Sequence, residues 1–402
     1  MDSASHDDLC DLGLATMSTA TSLFSQINTR WFQRSIGWTG IEIGCHEVKM
    51  AQVRKLDGRW ILSSIWTIEN PVAYTSIGNE CIGHRSNRIQ ESFGWMPSTD
   101  LLEKGLAPLF TEAESLNGLF QGKRCAVTLN DGMIDYRELD LPFSNLEDAY
   151  PVVSSEVAFE AECEQNELIT DCWQLPKSRS RHESSTYAAV SLKCAAAEQM
   201  SADLLRIGFD CQVIDAVPSA IARATQMMIQ DNESITLAID LGYGQSTVTM
   251  VQEDEPVLTR SLRSCSLLSL LEGIARVFEV SVSDAQTLLF QSSANDSFQN
   301  SGKEGFSNPL RQRTDVFLNA LSFEINKTLE YYSRAFYSVP PQRILIMGAG
   351  VKIPGIASVL EQKTNLPTFV WSMESTFGPL ESRPLGSFAI AAGLSCLAWD
   401  TP

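Results

Sequence analysis

The chain has 402 residues, 44% hydrophobic and 20% charged, the balance of a folded globular protein long enough for two or three domains. Its formal net charge of −19 excludes a general nucleic-acid binder, which needs basic patches to displace counterions from phosphate. The ten cysteines are scattered, with no CxxC pair and no histidine pair at metal spacing, so a zinc site is not expected and the thiols read as those of a reducing, cytosolic compartment.

Residues 1–35 are rich in Asp, Ser and Thr and lack the basic start of a signal peptide. Leu14, Met17, Phe24, Ile27 and Trp31 recur near helical spacing, which leaves open a frayed tail or a short amphipathic segment that docks on a partner or, with only Arg30 and Arg34 to favour anionic lipid, on a membrane. The body opens with "TGIEIGCHEVKMAQVRK" and "RWILSSIWTIE", two β-rich runs around the hairpin signal Asp57-Gly58. Residues 70–100 read as an irregular excursion, and "STDLLEKGLAPLFTEAESL" as a capped helix. Two strands are expected around Asn130-Asp131-Gly132, then a helix that Pro151 kinks or delays. Strands "ITDCWQLP" and "STYAAVSLK", a helix, strand "CQVIDAV" and a helix from Pro218 complete the first half.

The second half starts at "LAIDLGYGQSTVTMVQ" (237–252). Two helices follow, then a polar loop (292–308) and a long amphipathic helix, "TDVFLNALSFEINKTLEYYSRAF". "QRILIMGAGVKIPGIASVLEQKTNLPTFVW" reads strand, glycine turn, helix, strand, and a small-residue helix closes the chain. The longest apolar runs, such as 388–399, fall short of the ~20 residues that span a bilayer, so no transmembrane segment is expected. Strands mixed with crossover helices predict an α/β fold. "GIEIGCHEVKMAQV" and "AIDLGYGQSTVTMV" share the plan strand, acid, glycine turn, strand, as expected of duplicated halves whose hairpins face one cleft.

That plan has a chemistry. Backbone N–H groups at a glycine turn can converge on phosphate when no side chain blocks the approach. A carboxylate just before the turn repels phosphate but can hold hydrated Mg²⁺ that bridges to it. On this reading Asp240 holds metal through water, Gly242 and Gly244 open a turn that includes Tyr243, and Ser246 and Thr247 donate to phosphate. In the first hairpin Gly44 opens the turn beside Cys45, Glu42 faces the metal, and Lys49 supplies positive charge. A third element, Gly348, Ala349 and Gly350 between strand and helix, would let a base and ribose lie on the backbone. A plain β-hairpin is the competing reading of each turn, and neither GxGxxG nor a P-loop is present.

The three elements in this order resemble the actin, sugar-kinase and heat-shock-chaperone ATPase superfamily, and within it the PilM family of type IV pilus assembly proteins, relatives of FtsA. "GIEIGCHEVK", "GKRC", "LDLP", "SEVAFEAECEQ", "GFDCQVIDAVPSAIARA" and "MGAGVKIPGIASVLEQKTNLPT" each resemble a family segment, over roughly residues 36–402. The resemblance implies a two-lobed, ribonuclease H-like duplicated fold with ATP and Mg²⁺ between the lobes. It implies a first lobe from 36–120, 211–235 and 376–402, an inserted SHS2 (1C) domain at 121–210, and a second lobe from 236–375 with subdomain 2B at 266–319. It also implies a cytoplasmic scaffold at the inner-membrane face that binds the tail of a PilN-like protein and engages pilus motor parts, with self-association left open. Glu324 and Lys327 lie on the helix that touches ribose in relatives, with an ordinary ion pair as the other reading.

The sequence also departs from the family. Glu42 replaces Asp, and Cys45, His46 and Glu47 replace a serine-rich loop. Val217 stands where many relatives carry a glutamate, and Asp215 is the remaining candidate to position water, or else a structural acid. At most a weak ATPase is expected. A sugar or small-acid kinase and an FtsA-like filament protein are the alternatives.

Overall fold

The computed structural model describes residues 36–69, 116, 118–129, 134–175, 184–229, 234–294, 304–336, 339–376 and 385–400. The expected N-terminal segment, the excursion at 70–100 and the helix before Leu116 lie outside the described residues.

The first hairpin arises where its residues demand it. Strands β1 (Thr39–Ile43), β2 (Glu47–Leu56) and β3 (Arg59–Glu69) form an antiparallel meander. Asp57 and Gly58 both take positive φ, as a two-residue turn matched to strand twist requires. β4 (Arg124–Leu129) and β8 (Asp210–Asp215) add parallel strands on the other side of β1, and β14 (Glu374–Ser375) pairs with β3. The resulting sheet has the order β14-β3-β2-β1-β4-β8.

The second half repeats this plan. β9 (Ile235–Leu241), β10 (Ser246–Gln252) and β11 (Glu255–Leu262) form the meander, and β12 (Arg343–Met347) and β13 (Thr368–Val370) the parallel additions. The order β11-β10-β9-β12-β13 matches β3-β2-β1-β4-β8 strand for strand and direction for direction. The short internal echo in the sequence is therefore a duplicated sheet.

Between the sheets lie α3 (Val217–Met228) and α8 (Ala389–Ser395). Their small residues share one core with Ala51 and Ala126 of the first sheet and Ala238, Leu345 and Met347 of the second. Contact is close: a Cβ on Gly40 would overlap the Ala391 carbonyl, and one on Gly393 the Ala220 carbonyl. α4 (Leu267–Phe278), α5 (Val282–Ala294), α6 (Glu304–Ala335) and α7 (Ile356–Thr364) belong to the second half, and buried residues of α4, α6 and α7 cover the other face of the five-stranded sheet. α6 begins ten residues before the predicted start, and its first turns occupy part of the expected polar loop.

A third, small sheet carries β5 (Asp135–Leu141), β7 (Ser185–Lys193) and β6 (Leu168–Gln174), in the order β5-β7-β6. α1 (Leu146–Glu160) packs Ala149, Val153 and Val157 on it. One expectation is corrected here. β4 and β5 do not pair across Asn130-Asp131-Gly132: β4, apolar and buried, joins the large sheet, whereas β5 is half-polar and joins the small one. The small sheet spans residues 135–193, while β4 joins the large sheet and α2 (Cys194–Arg206) contributes to the core under it. Pro151 lies within α1 and does not delay its start. Among the described residues no helix is long and apolar enough to cross a membrane.

Candidate functional site

The two central hairpins turn in the same way. The Gly44 N–H donates to the Glu47 carbonyl at 3.0 Å, and a Cβ on Gly44 would sit 2.8 Å from that oxygen. A Cβ on Gly242 would overlap the Gln245 carbonyl, the equivalent atom. Glycine is required at both because the turn folds its own carbonyl over the residue. Two residues before each glycine stands the acid. Glu42 faces Lys49 across β1 and β2, and Asp240 faces Thr247 across β9 and β10.

Sheet parity settles where these side chains point. Glu42, Lys49, Thr128 and Asp215 lie side by side in one cross-strand row, on the face that carries Ala51 and Ala126 against α3 and α8. Asp240, Thr247 and Met347 form the matching row of the second sheet, on the face of Ala238 and Leu345. Each half thus turns its polar row toward the other. The loops then meet: a Cβ on Gly244 would lie 2.7 Å from Cys45 Sγ, and the His46 and Tyr243 rings stack with centroids 4.0 Å apart and planes 16° from parallel. Backbone N–H groups of α4 fix the second loop from behind, Leu267 donating to the Gly242 carbonyl at 3.1 Å and Leu268 to the Tyr243 carbonyl at 2.8 Å.

The third element packs on the second loop's acid. Gly348 follows β12 with φ +85°, and a Cβ there would overlap Asp240 Oδ1. A Cβ on Gly350 would overlap Leu241, and Ala349 is buried beside them. Close packing on the end of β9 is thus one reason these residues are small.

No family model matches the sequence, and no curated protein does. Among solved structures, a chain of a PilM–PilN type IV pilus biogenesis complex superimposes with a TM-score of 0.64, at 17% identity, over 90% of this chain and 99% of that one. The fold is PilM-like. A ROK family glucokinase from Streptomyces griseus, solved with glucose and AMPPNP, overlaps with a TM-score of 0.48 at 10% identity, covering 91% of this chain and 100% of that one. The ethanolamine utilization protein EutJ from Carboxydothermus hydrogenoformans gives 0.45 at 10% identity, covering 90% of each chain. The actin-like, two-lobed architecture expected from the motifs is the one observed.

Within this PilM-like fold several expected site residues are committed elsewhere. Ser246 alternates to the face opposite Thr247, is fully buried, and donates its hydroxyl to the Cys265 carbonyl at 2.6 Å, so it is no phosphate donor but a clip under the loop. Glu324 takes Arg260 at 2.5 Å and Lys327 at 3.0 Å. Burial works to raise its carboxyl, but the hydrogen bonds from Lys327 and Arg260 outweigh burial and hold it below its usual range. α6, which carries both residues, packs on the sheet face away from Asp240. Asp215 is ion-paired with Arg223 and accepts from the Ala216 N–H at 2.9 Å, while Val217 is buried in the core between the sheets.

The charges that remain near the loops decide what they could hold. Lys49 is 7% exposed and bonded to Glu42 Oε1 at 2.7 Å. Burial opposes its charge, but Glu42, Glu47 and Asp240 prevail and raise its pKa above the ordinary lysine value. Lys49 is therefore neutralised in place and is not a spare cation for phosphate. His46 is held below its usual range by burial, against the pull of Glu47 and Glu69, so it is neutral at pH 7. Glu42, Glu47 and Asp240 surround Lys49, while Lys352, from the turn after Gly350, is the second lysine whose charge reaches the His46 loop. Glu42 Oε2 is buried without a hydrogen-bond partner. That orphan oxygen and the Asp240 carboxylate are the oxygen donors a hydrated divalent cation takes, although no group of three or more ligating side chains gathers among the described residues. Sequence reasoning missed the His46–Tyr243 stack, because nothing local marks two rings from separate turns as neighbours.

Proposed function

We propose that this chain is an assembly scaffold of the PilM type, cytoplasmic and held at the inner-membrane face by its partners. It binds the cytoplasmic tail of a PilN-like inner-membrane protein and takes Mg-ATP between its lobes. The fold likeness to a chain of a PilM–PilN complex supports the pilus reading. The observation that carries the nucleotide reading is the convergence of the two glycine loops, Cys45 against Gly244 and His46 on Tyr243. We take the lobes as 36–120 with 211–235 and 376–402, and 236–375, and the SHS2-type insert as the small sheet with α1.

Glu42 and Asp240 would hold Mg²⁺ through water, the turns at Gly44–Cys45 and Gly242–Gly244 would offer N–H groups to phosphate, and the turn at Gly348–Gly350 would adjoin the nucleoside. The bound ion would add positive charge to that of Lys49, which Glu42 already engages, and of Lys352. With Asp215 tied to Arg223 and valine at 217, neither candidate position among the described residues is set to orient an attacking water, and we take turnover as slow or absent. The same pairing removes the base that a sugar kinase would need.

Calorimetric titration tests the reading. Mg-ATP should bind, ATP with chelator should not, and Asp240→Asn should weaken the Mg-ATP site at least tenfold, the ~1.4 kcal/mol of one lost charge contact. A PilN-type N-terminal peptide should bind independently of Asp240→Asn unless the two sites are coupled. No heat with Mg-ATP would remove the nucleotide from the proposal, and no heat with the peptide would remove the partner.

A further inference from the structure

Two cysteines meet at the root of the small sheet. β4 and β8 are neighbouring parallel strands, and Cys125 and Cys211 stand directly opposite each other in their register. Neighbouring strands lie about 4.8 Å apart, inside the range of about 4.4–6.8 Å between Cα atoms that a disulfide spans. Both thiols are free. Both side chains lie on one face of the sheet, in the core that also holds Val127, Leu204 and Phe209. Among the described residues no other two cysteines are strand partners.

The two sulfurs differ in the way that a stepwise oxidation needs. Cys125 is fully buried, on a strand flanked on both sides, whereas Cys211 is partly exposed, on the edge strand of the sheet. The ladder bulges just beyond the pair: Gln212 is passed over, and pairing resumes with Ala126 opposite Val213. A bulge loosens the edge strand locally and gives it room to adjust as two sulfurs close. The Cys125 thiol donates to the Cys211 sulfur, which holds Cys211 below the ordinary thiol range although burial opposes this. The same contact, with burial, holds Cys125 above that range. Cys211 is therefore the thiol that ionises first, and Cys125 waits beside it in its protonated form.

We propose that Cys125 and Cys211 are an oxidation site, a dithiol that hydrogen peroxide closes to a reversible disulfide. The Cys211 thiolate attacks one peroxide oxygen; the O–O bond breaks, hydroxide leaves and takes up a proton, and Cys211 becomes a sulfenic acid. Cys125 then gives up its proton and attacks the Cys211 sulfur; the S–S bond forms, the S–O bond breaks, and a second water leaves. Two thiols thus lose two electrons and two protons to one peroxide, which ends as two waters. The bond joins the strand that leads into the small sheet to the strand that returns from it, since residues 135–193 lie between them. It also clamps the near end of β8, whose far end, Asp215, accepts the Thr128 hydroxyl on its carbonyl at 2.6 Å in the polar row of the first half. In a reducing compartment such a bond is transient, which suits a sensor. None of this requires a nucleotide in the cleft.

Peptide mapping of the full chain provides the test. The folded protein is treated with an equimolar amount of hydrogen peroxide, its remaining thiols are alkylated after unfolding, and it is digested without reductant. The Cys125 and Cys211 peptides should appear joined before any other pair among the ten cysteines, and dithiothreitol should release both. Cys125→Ser should leave Cys211 as a sulfenic acid that dimedone labels, whereas Cys211→Ser should leave Cys125 unlabelled. Amide hydrogen exchange across β8 should slow at least about tenfold in the bonded form. Cys125 and Cys211 both recovered alkylated after peroxide has oxidised other cysteines would overturn the proposal. So would dimedone on Cys125 in Cys211→Ser, and equal exchange in β8 with and without the bond would overturn the clamp. The map of the native chain needs no variant, so it decides the matter even where a substitution in this core fails to fold.

Discussion

Burial sets the cost of every change at the Lys49–Glu42 pair. Lys49→Met leaves Glu42 charged and buried, with one oxygen already lacking a partner, and should cost roughly 3–5 kcal/mol in urea denaturation. Lys49→Met with Glu42→Leu should recover most of that loss, because two apolar side chains can replace a buried pair at little net cost. Since the pair raises the lysine pKa, its contribution is intact at and below the ordinary lysine value and fades only as pH climbs through the folded value. His46 works with the opposite sign. Its folded pKa is depressed by burial, so the unfolded chain takes up the proton first, and stability falls as pH drops below about 6.5. His46→Phe keeps a ring on Tyr243 without a titrating group, and its urea midpoint should change less between pH 7.5 and pH 5.5 than that of the native chain. Equal slopes for the two proteins would mean that the stack is not what titrates. Much of this site was legible in the sequence, since an acid two residues before a glycine turn is a local pattern, visible at both Glu42 and Asp240. What was not legible needed register: Ser246 and Thr247 are neighbours in sequence, and only pairing with Asp240 and Leu241 tells which one faces the other half.

At the level of elements, α1 carries the clearest internal conflict. Pro151 sits at its sixth position, removes a backbone donor and crowds the preceding turn, yet the helix runs through from Leu146 to Glu160. The Asn145 cap, which accepts from the Asp148 N–H at 2.8 Å, and the apolar face on the small sheet hold it in place. Pro151 is exposed, so Pro151→Ala should stabilise the helix by about 1–3 kcal/mol, read as a higher thermal midpoint. A lower midpoint would show that the proline's restriction of the unfolded chain outweighs the lost hydrogen bond. Most element types were readable because the periods are clean, alternating in β5 and near-continuous apolar in β9 and β12. The pairing of β4 was not, because Asn-Asp-Gly signals a turn and cannot say whether the two strands around it share a sheet.

Over the whole molecule, the duplicated sheets are held together through a helix drawn from the end of the described chain. Ser395 on α8 donates to the Trp38 carbonyl at 2.5 Å and accepts from the Val53 N–H at 3.0 Å, and its own carbonyl accepts from the Trp38 N–H at 3.2 Å. Ser395→Ala strands the Val53 N–H in a dry core and should cost roughly 1–3 kcal/mol, measured as a lower urea midpoint with an unchanged slope. An unchanged midpoint would mean that water reaches that N–H. The strands of the second sheet and the helices on its outer face come from within 234–370 and can pack together as soon as that stretch leaves the ribosome. The inner faces of both sheets must wait, with Gly40 and Ala51 of the first and Ala238 and Leu345 of the second not fully covered, until residues 389–395 arrive. A nascent chain halted before α8 would therefore expose apolar sheet faces to chaperones and proteases, and translation of residues 389–395 is what lets the two sheets close on their shared core.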